Sequence, residues 1–462
     1  MNRSWNRRDA LKAIGITAAG VMIPNGAYAD LVPQPIEFPD DTALRQIDKP
    51  VTAIVAGAGN RGNVYASYSE RNPSALKIVG FAEPIPFRSK RFADRYKISA
   101  ERQFKTWEDI FKVKKFADAV IITTPDALHY GPAMAALEMG YDLLLEKPIA
   151  QSWQQCSDIM NLAIRKDRIV AICHVLRYAP FFRKMKEIVD SGALGKMVSI
   201  QLLEPVEHIH MSHSFVRGNW RNSKESNPML LAKSCHDLDL LLWLTNKHCT
   251  RIGSFGSLTW FRKENAPQGS TDRCTGGCAV EATCPYSALK IYYRNRSWLH
   301  HMDLPAEGDK GPAILDQLKN GPYGRCVYHC DNDVVDHQVV SMQFEDGITA
   351  NFNMEAHTSY AGRRIRIMGT EGDLIGDERD LLVSNFKTDM VARWNVDEHA
   401  ATASGHGGGD YGLAYAFAQA VSQHNPAPLS TTISSAMESH LMAFRAEEAR
   451  AEGTTKAVGE AR

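Results

Sequence analysis

The feature that most constrains this chain is a junction near its start. Residues 51–56, Val-Thr-Ala-Ile-Val-Ala, run straight into Gly57-Ala58-Gly59-Asn60-Arg61-Gly62, and a helix-like stretch follows. A short, almost wholly apolar run suits a central parallel strand buried on both faces. Glycines spaced G-x-G-x-x-G allow a tight turn, close backbone approach to a pyrophosphate, and close packing of helix on strand. The phosphates would then sit at the helix N-terminus, where free N–H groups and the dipole favour an anion. A second apolar run, 78–82, ends at Glu83. A carboxylate in that place accepts from both hydroxyls of an adenosine ribose and repels a 2′-phosphate, so NAD is expected rather than NADP.

The alternation of strand and helix continues. Residues 119–124 read as another buried strand, followed by a loop carrying Pro125 and His129, a helix over 131–139, and Gly140 as its stop. The next strand, 141–145, ends at Glu146-Lys147-Pro148. Ligands bind beyond the C-terminal ends of strands in open α/β sheets, so Lys147 is a candidate acid/base group.

Composition narrows the class. The 462 residues carry 53 basic and 53 acidic side chains, which leaves no net charge for a nucleic-acid footprint. No apolar run reaches the roughly 18 residues of a membrane span. At the N-terminus, Arg7-Arg8 precedes a short Ala/Gly-rich apolar stretch and then Ala27-Tyr28-Ala29. That order reads as a twin-arginine signal peptide over 1–29, and hence as export of a folded protein to the periplasm. Residues 30–49 are Pro-rich and polar and read as an extended arm.

The second half carries several polar constellations. Residues 228–244 read as an apolar helix interrupted by Lys233, His236 and Asp239 at spacing three, a pattern that must face water or a polar cavity. Glu204, Glu207, His208, His210 and His213 lack regular ligand spacing, which favours a polar substrate wall over a metal site. Arg221, after Trp220, either reaches a phosphate or sugar or stacks on its neighbour. Nine cysteines are present, five of them between 274 and 330. Cys274, Cys278 and Cys284 with Cys330 or Cys326 could hold a structural zinc, form disulfides or stay free; in each case they read as a staple for the irregular stretch 263–332. Alternating runs at 339–344, 348–354, 364–368 and 374–375 predict antiparallel strands, with Glu345-Asp346-Gly347 as a hairpin turn. Gly405-His406-Gly407-Gly408-Gly409-Asp410 reads as a loop over the active site, and helices follow at 413–421 and 434–452.

Six segments taken in order resemble the Gfo/Idh/MocA oxidoreductase family: residues 57–62; Thr124-Pro125-Asp126 with His129; Glu146-Lys147-Pro148; His174-Val175-Leu176-Arg177-Tyr178-Ala179-Pro180; Gly192-Ala193-Leu194-Gly195-Lys196; and Cys235-His236-Asp237-Leu238-Asp239-Leu240. The resemblance implies an α/β protein with an N-terminal Rossmann domain, here 50–170. A C-terminal α/β domain, 171–440, would carry a large open, mostly antiparallel sheet, with 441–462 as a closing helix and tail. It implies NAD(P) held by Gly57, Gly59, Asn60, Arg61, Gly62, Glu83, Thr124, Pro125, His129, Glu146 and Lys147. It carries the acid/base role to Lys147 and His236, and the substrate wall to Arg177, Tyr178, Asp239 and His406. Many members of the family place an Asp four residues before the helix histidine. This chain has Ala232 there, and Lys233 is expected to take its part. The expected substrate is a small carbohydrate, oxidised at a hydroxyl-bearing carbon. The alternatives are an NAD-dependent glycosidase akin to glycoside hydrolase family 109, and a non-catalytic NAD-containing sugar-binding protein. The open sheet face of the family implies a homo-oligomer.

Overall fold

The computed structural model describes residue 47 and residues 49–399 and 405–459. The twin arginine, the Ala27-Tyr28-Ala29 end and nearly all of the 30–49 arm lie outside the described residues.

The chain runs β1 (Val51–Ala56), α1 (Asn60–Arg71), β2 (Leu76–Ala82), α2 (Pro86–Tyr96), β3 (Gln103–Phe104), β4 (Ala119–Ile122), α3 (Tyr130–Glu138), β5 (Asp142–Leu145), α4 (Trp153–Lys166) and β6 (Val170–Ile172). These six strands form one sheet in the order β3-β2-β1-β4-β5-β6, all parallel. β4 and β5 are buried at every residue, as expected for strands covered on both faces. One layer of core joins α3 and α4 to the sheet; the other is completed from far along the chain by Leu413, Phe417 and Val421.

The chain continues through α5 (Pro180–Asp190), β7 (Met197–Pro205), α6 (Cys235–Thr245), β8 (Cys249–Ser257), α7 (Gly311–Asn320), β9 (His337–Phe344), β10 (Thr349–Glu355), β11 (Arg364–Gly369), β12 (Gly372–Gly376), β13 (Asp380–Asn385), β14 (Met390–Asn395), α8 (Gly409–Gln423), α9 (Ile433–Glu452) and β15 (Thr455–Ala457). The second sheet has nine strands in the order β14-β13-β12-β11-β7-β10-β9-β8-β15. Only β7 and β10 pair in parallel, and the remaining pairs are antiparallel. In β9, Gln338, Val340, Met342 and Phe344 face the core, while the intervening residues are exposed. The β9–β10 turn uses Asp346 and Gly347 at φ 58° and 77°, the left-handed pair expected of that sequence.

Two expected boundaries are corrected. The first domain does not stop at 170, because β6 reaches Ile172, and α8 returns to cover the face that would otherwise expose β1 and α1. A break at 441 would cut α9, which runs unbroken from Ile433 and packs on α4, α6 and β8. The tail is not loose either, since β15 pairs with β8. The stretch 263–332 has a small core of its own, in which Ile291, Tyr292, Met302, Ile314 and Leu318 are buried together.

Candidate active site

The nucleotide cradle follows from its glycines. Gly57 sits at φ +97°, where a Cβ would also lie 2.6 Å from the Thr123 carbonyl oxygen. A Cβ on Gly62 would lie 2.1 Å from the Gly57 carbonyl, so α1 can pack this close only with glycine there. Around Gly59 only the tip of Arg88 comes within 4 Å, which leaves the approach to the first turn of α1 open. Asn60 begins that turn and is exposed. Glu83, at the end of β2, braces the loop. Its Oε2 accepts from the Ala58 N–H at 2.9 Å and its Oε1 from Ile85 N–H at 3.0 Å. Burial pushes this carboxyl up, and those two N–H groups and Arg88 oppose it only in part. The cradle has the shape and donors that a dinucleotide pyrophosphate needs.

Several residues expected at the cofactor instead build the frame beneath it. Arg61 turns inward, its Nε 2.5 Å from Glu146 Oε1 and its Nη2 2.6 Å from Asp410 Oδ1 and 2.5 Å from the Tyr65 hydroxyl. The side chains of Arg61 and Glu146 are therefore committed to each other, because an unpaired charge at this depth would be costly. Burial raises the Glu146 carboxyl, but Arg61 and then Lys147 outweigh it and hold the group ionised. His129 is also buried, its Nδ1 2.7 Å from the Pro148 carbonyl and its Nε2 3.0 Å from the Thr124 carbonyl. It ties the loop after β4 to the loop after β5. Thr124 bonds the Leu128 carbonyl, and Pro125 opens the same turn. Asp126, outside the expected set, receives Trp220 Nε1 at 3.0 Å and both Ser226 and Asn227 at 3.1 Å, and so joins the two sheets' domains.

Lys147 and His236 come near enough for the charge of one to act on the other. Lys147 follows β5, and its ammonium donates to the Ala232 carbonyl at 2.6 Å. His236 lies in the first turn of α6, buried, with Nδ1 sealed inside. Burial pushes its imidazole well below the ordinary range, and the Lys147 ammonium pushes the same way, followed by His174, His406 and Arg363. His236 is thus neutral at neutral pH and able to accept a proton. His406 stands 6.0 Å from it, ring centre to ring centre, with its Nδ1 3.1 Å from Asp410. The 405–410 loop therefore borders this site, as its glycines suggested.

The helix expected over 228–244 is broken. A turn at Met229–Ala232 ends at Lys233, and Ser234 opens α6 by accepting the N–H groups of Asp237 and Leu238. Lys233 thereby leaves the face of His236. Its ammonium pairs with Glu204 at 2.7 Å, and Arg363 approaches the other oxygen of Glu204 at 2.8 Å. Burial would raise Glu204, but Arg363 and Lys233 outweigh it and hold the carboxyl at about 2. Lys233 is a wall residue, not a partner of His236. At position 232, where Lys233 was expected to stand in for an Asp, it is the Ala232 backbone carbonyl that takes the Lys147 ammonium.

Three expected substrate contacts are also corrected. Arg177 and Asp239 form a buried two-pronged ion pair, 2.7 Å on each prong, and Arg177 also donates to the Ser430 carbonyl at 2.9 Å. The Tyr178 hydroxyl lies 3.0 Å from Thr431 Oγ1 and accepts the Ser430 N–H at 3.1 Å. All three lock α6 to the 430–431 segment. Arg221 pairs with Asp331 at 2.7 Å and Glu225 at 2.9 Å, an ion-pairing role that neither expected reading named.

All nine cysteines are free thiols, and among the described residues no three His, Cys, Asp or Glu side chains form a metal-holding group. Of the three readings left open for the cluster, the free-thiol one describes it. Cys274, Cys278, Cys284 and Cys326 do converge, around a cavity of about 10 Å³. Arg217 lines it too, with Nη2 3.8 Å from Cys274 Sγ. Cys330 points its Sγ at the Cys326 carbonyl, 3.2 Å away.

The description "Oxidoreductase family, NAD-binding Rossmann fold" matches residues 51–174, and "Oxidoreductase family, C-terminal alpha/beta domain" matches residues 186–458. The chain belongs to the Gfo/Idh/MocA oxidoreductase family. It is an NAD-binding oxidoreductase. A putative oxidoreductase, YteT, of Bacillus subtilis (strain 168) is 23% identical over 357 residues, covering 74% of this chain and 82% of that protein. An inositol 2-dehydrogenase of Salmonella typhimurium is 21% identical over 320 residues, covering 67% of this chain and 89% of that protein. Among solved structures, levoglucosan dehydrogenase in complex with NADH and levoglucosan superposes with a TM-score of 0.64 at 17% identity, covering 89% of this chain and 100% of that one. Aldose-aldose oxidoreductase from Caulobacter crescentus superposes with a TM-score of 0.63 at 13% identity, covering 88% and 100%.

Proposed function

We propose that the protein is an exported NAD-dependent dehydrogenase that moves hydride between the nicotinamide and a hydroxyl-bearing carbon of a sugar or glycoside. The observation that carries this reading is the pair Lys147 and His236: a strand-end ammonium beside a buried neutral imidazole, at the edge of the sheet where a dinucleotide ring must lie. Similar proteins named for inositol and levoglucosan, and one named for aldoses, support a small polyhydroxylated substrate. Bound NAD supplies the hydride acceptor. The chain's own residues do the rest. His236 takes the hydroxyl proton on Nε2, since Nδ1 is sealed inside. Lys147 donates to the same oxygen and steadies the charge that develops there. Glu83 accepts the adenosine ribose hydroxyls and selects NAD.

A screen of the purified protein against inositols, levoglucosan, aldoses and aryl glycosides tests this reading. Net NADH formation supports it. Aglycone release without net NADH would replace it with redox-assisted hydrolysis on the same two residues. Binding without either signal would make the protein a sugar-binding module. The twin arginine and the Ala27-Tyr28-Ala29 end support export, and N-terminal sequencing of periplasmic material should begin at Asp30.

A further inference from the structure

His174 is the least explained polar side chain near the site. It is 1% exposed, and neither ring nitrogen has a hydrogen-bond partner. Its ring lies edge-on to two other imidazoles, His236 at 5.6 Å and His440 at 5.4 Å between ring centres. A buried polar atom without a partner costs about 1–3 kcal/mol, so three such nitrogens in one place call for a role. Those three are both nitrogens of His174 and Nδ1 of His236.

His440 does not serve them. Its Nε2 accepts the Ile149 N–H at 3.0 Å, so its Nδ1 carries the proton and donates to the Ala436 carbonyl at 2.9 Å. Both of its nitrogens are used. The Asp239 Oδ1 lies 4.0 Å from His174 Nε2, and Asp239 is held in place by Arg177. Lys147 and Glu146 complete the charged surroundings of His174.

We propose that His174 is the positioning residue for His236: the two rings share no hydrogen bond as they stand, and His174 takes the Nδ1–H of His236 through one water, which leaves the His236 Nε2 lone pair for the substrate. The inference rests on His236 being the base. Asp239, held by Arg177, lies 4.0 Å from His174 Nε2, too far for a hydrogen bond, and its charge favours the His174 proton on that nitrogen, which leaves Nδ1 as the acceptor. When substrate is oxidised, the hydroxyl O–H breaks, the proton bonds to His236 Nε2, and the Nδ1 proton stays between the two imidazoles. Without an acceptor at Nδ1, a neutral imidazole divides between two tautomers, and only one has a free Nε2.

Nitrogen-15 histidine NMR of the NAD-loaded full chain reads this directly and needs no substrate. The His236 signal is assigned by its loss in His236→Gln. The expected result is a single Nδ1–H tautomer in the wild type and a tautomer mixture in His174→Phe, which fills the same space without a nitrogen. His174→Gln, whose amide oxygen can accept, should restore the single tautomer in part. In turnover, with whichever sugar of the screen the wild type oxidises, His174→Phe should lower kcat by about 10–100-fold with KM little changed. The acid limb of its pH profile should move down, because an imidazolium without a Nδ1 acceptor is harder to form. A wild-type Nε2–H tautomer would overturn the proposal, whatever the variants do. An unchanged tautomer and unchanged kcat in His174→Phe would do the same. Retained turnover in His236→Gln would instead reject the base itself, so the two failures are distinguishable.

Discussion

Arg177 and Asp239 resemble substrate contacts in the sequence and are a buried ion pair in the structure, and the two roles part under mutation. Arg177 is 7% exposed and Asp239 1%, and both carboxylate oxygens sit 2.7 Å from the guanidinium. In Arg177→Met, Asp239 remains buried with its charge uncompensated. Breaking such a pair from one side costs about 3–5 kcal/mol. Removing both charges, in Arg177→Met with Asp239→Leu, should recover most of that loss, because an apolar pair of similar volume avoids desolvation altogether. The coupling in a double-mutant cycle should therefore be about 3 kcal/mol. Urea unfolding of all four proteins, loaded with NAD, measures it. The pH dependence has a definite sign. Burial already pushes Asp239 up against the pull of Arg177. Without Arg177 its folded-state pKa rises further above the unfolded value. A raised acid destabilises once pH climbs through the folded pKa, so the deficit of Arg177→Met should shrink on going from neutral pH toward pH 4. Substrate KM should stay near wild type in whatever fraction remains folded. If the double variant is no more stable than the worse single, or if KM rises tenfold with no loss of stability, the pair is not the structural lock described here.

Three further outcomes are expected. Lys147→Met and His236→Gln should each lower kcat by about 10²–10⁴ while calorimetry still shows NAD binding; wild-type turnover in either would remove that residue from the chemistry. Because burial and the Lys147 ammonium hold His236 well below its ordinary range, kcat/KM should stay flat as pH falls through about 6.5 and decline only below it; a limb centred near 6.5 would show that the base is not the buried His236. Glu83→Gln should weaken NAD more than NADP, as read by titration of stripped protein, since the charge that repels a 2′-phosphate is gone; equal weakening would reduce Glu83 to a brace for the Ala58 loop.

Much of the frame was legible because it depends on local pattern. β1, β2, β4 and β5 are short apolar runs between turn signals, and all four form where the sequence puts them. β6 has three residues, and β13 and β14 lie toward the sheet edge with weak alternation, so no periodicity marked them. The break at Lys233 and Ser234 carries neither Gly nor Pro. It arises from what surrounds it: Glu204 and the Ala232 carbonyl each claim a cation, one from Lys233 and one from Lys147, and a continuous helix could not offer both.

The same distinction explains which site residues survived inspection. A motif marks residue types, and a polar residue near a site has two uses: to reach the ligand, or to hold whatever does. Arg61, Glu146, His129, Arg177, Tyr178 and Asp239 all have short, saturated partners within the protein, which fixes them in the second use. Lys147 and His406 are less fully committed: Lys147 spends one of its three N–H donors on the Ala232 carbonyl, and His406 pairs with Asp410 through Nδ1 alone. A charge or hydroxyl already satisfied by the fold gains little by turning to substrate, because it must first lose the bond it has. That trade is invisible in one dimension, since the partners of these six lie in segments as distant as Asp410 and Ser430. The sequence could name the group of candidates, but only the three-dimensional pairing separates the few that do chemistry from the many that keep them aimed.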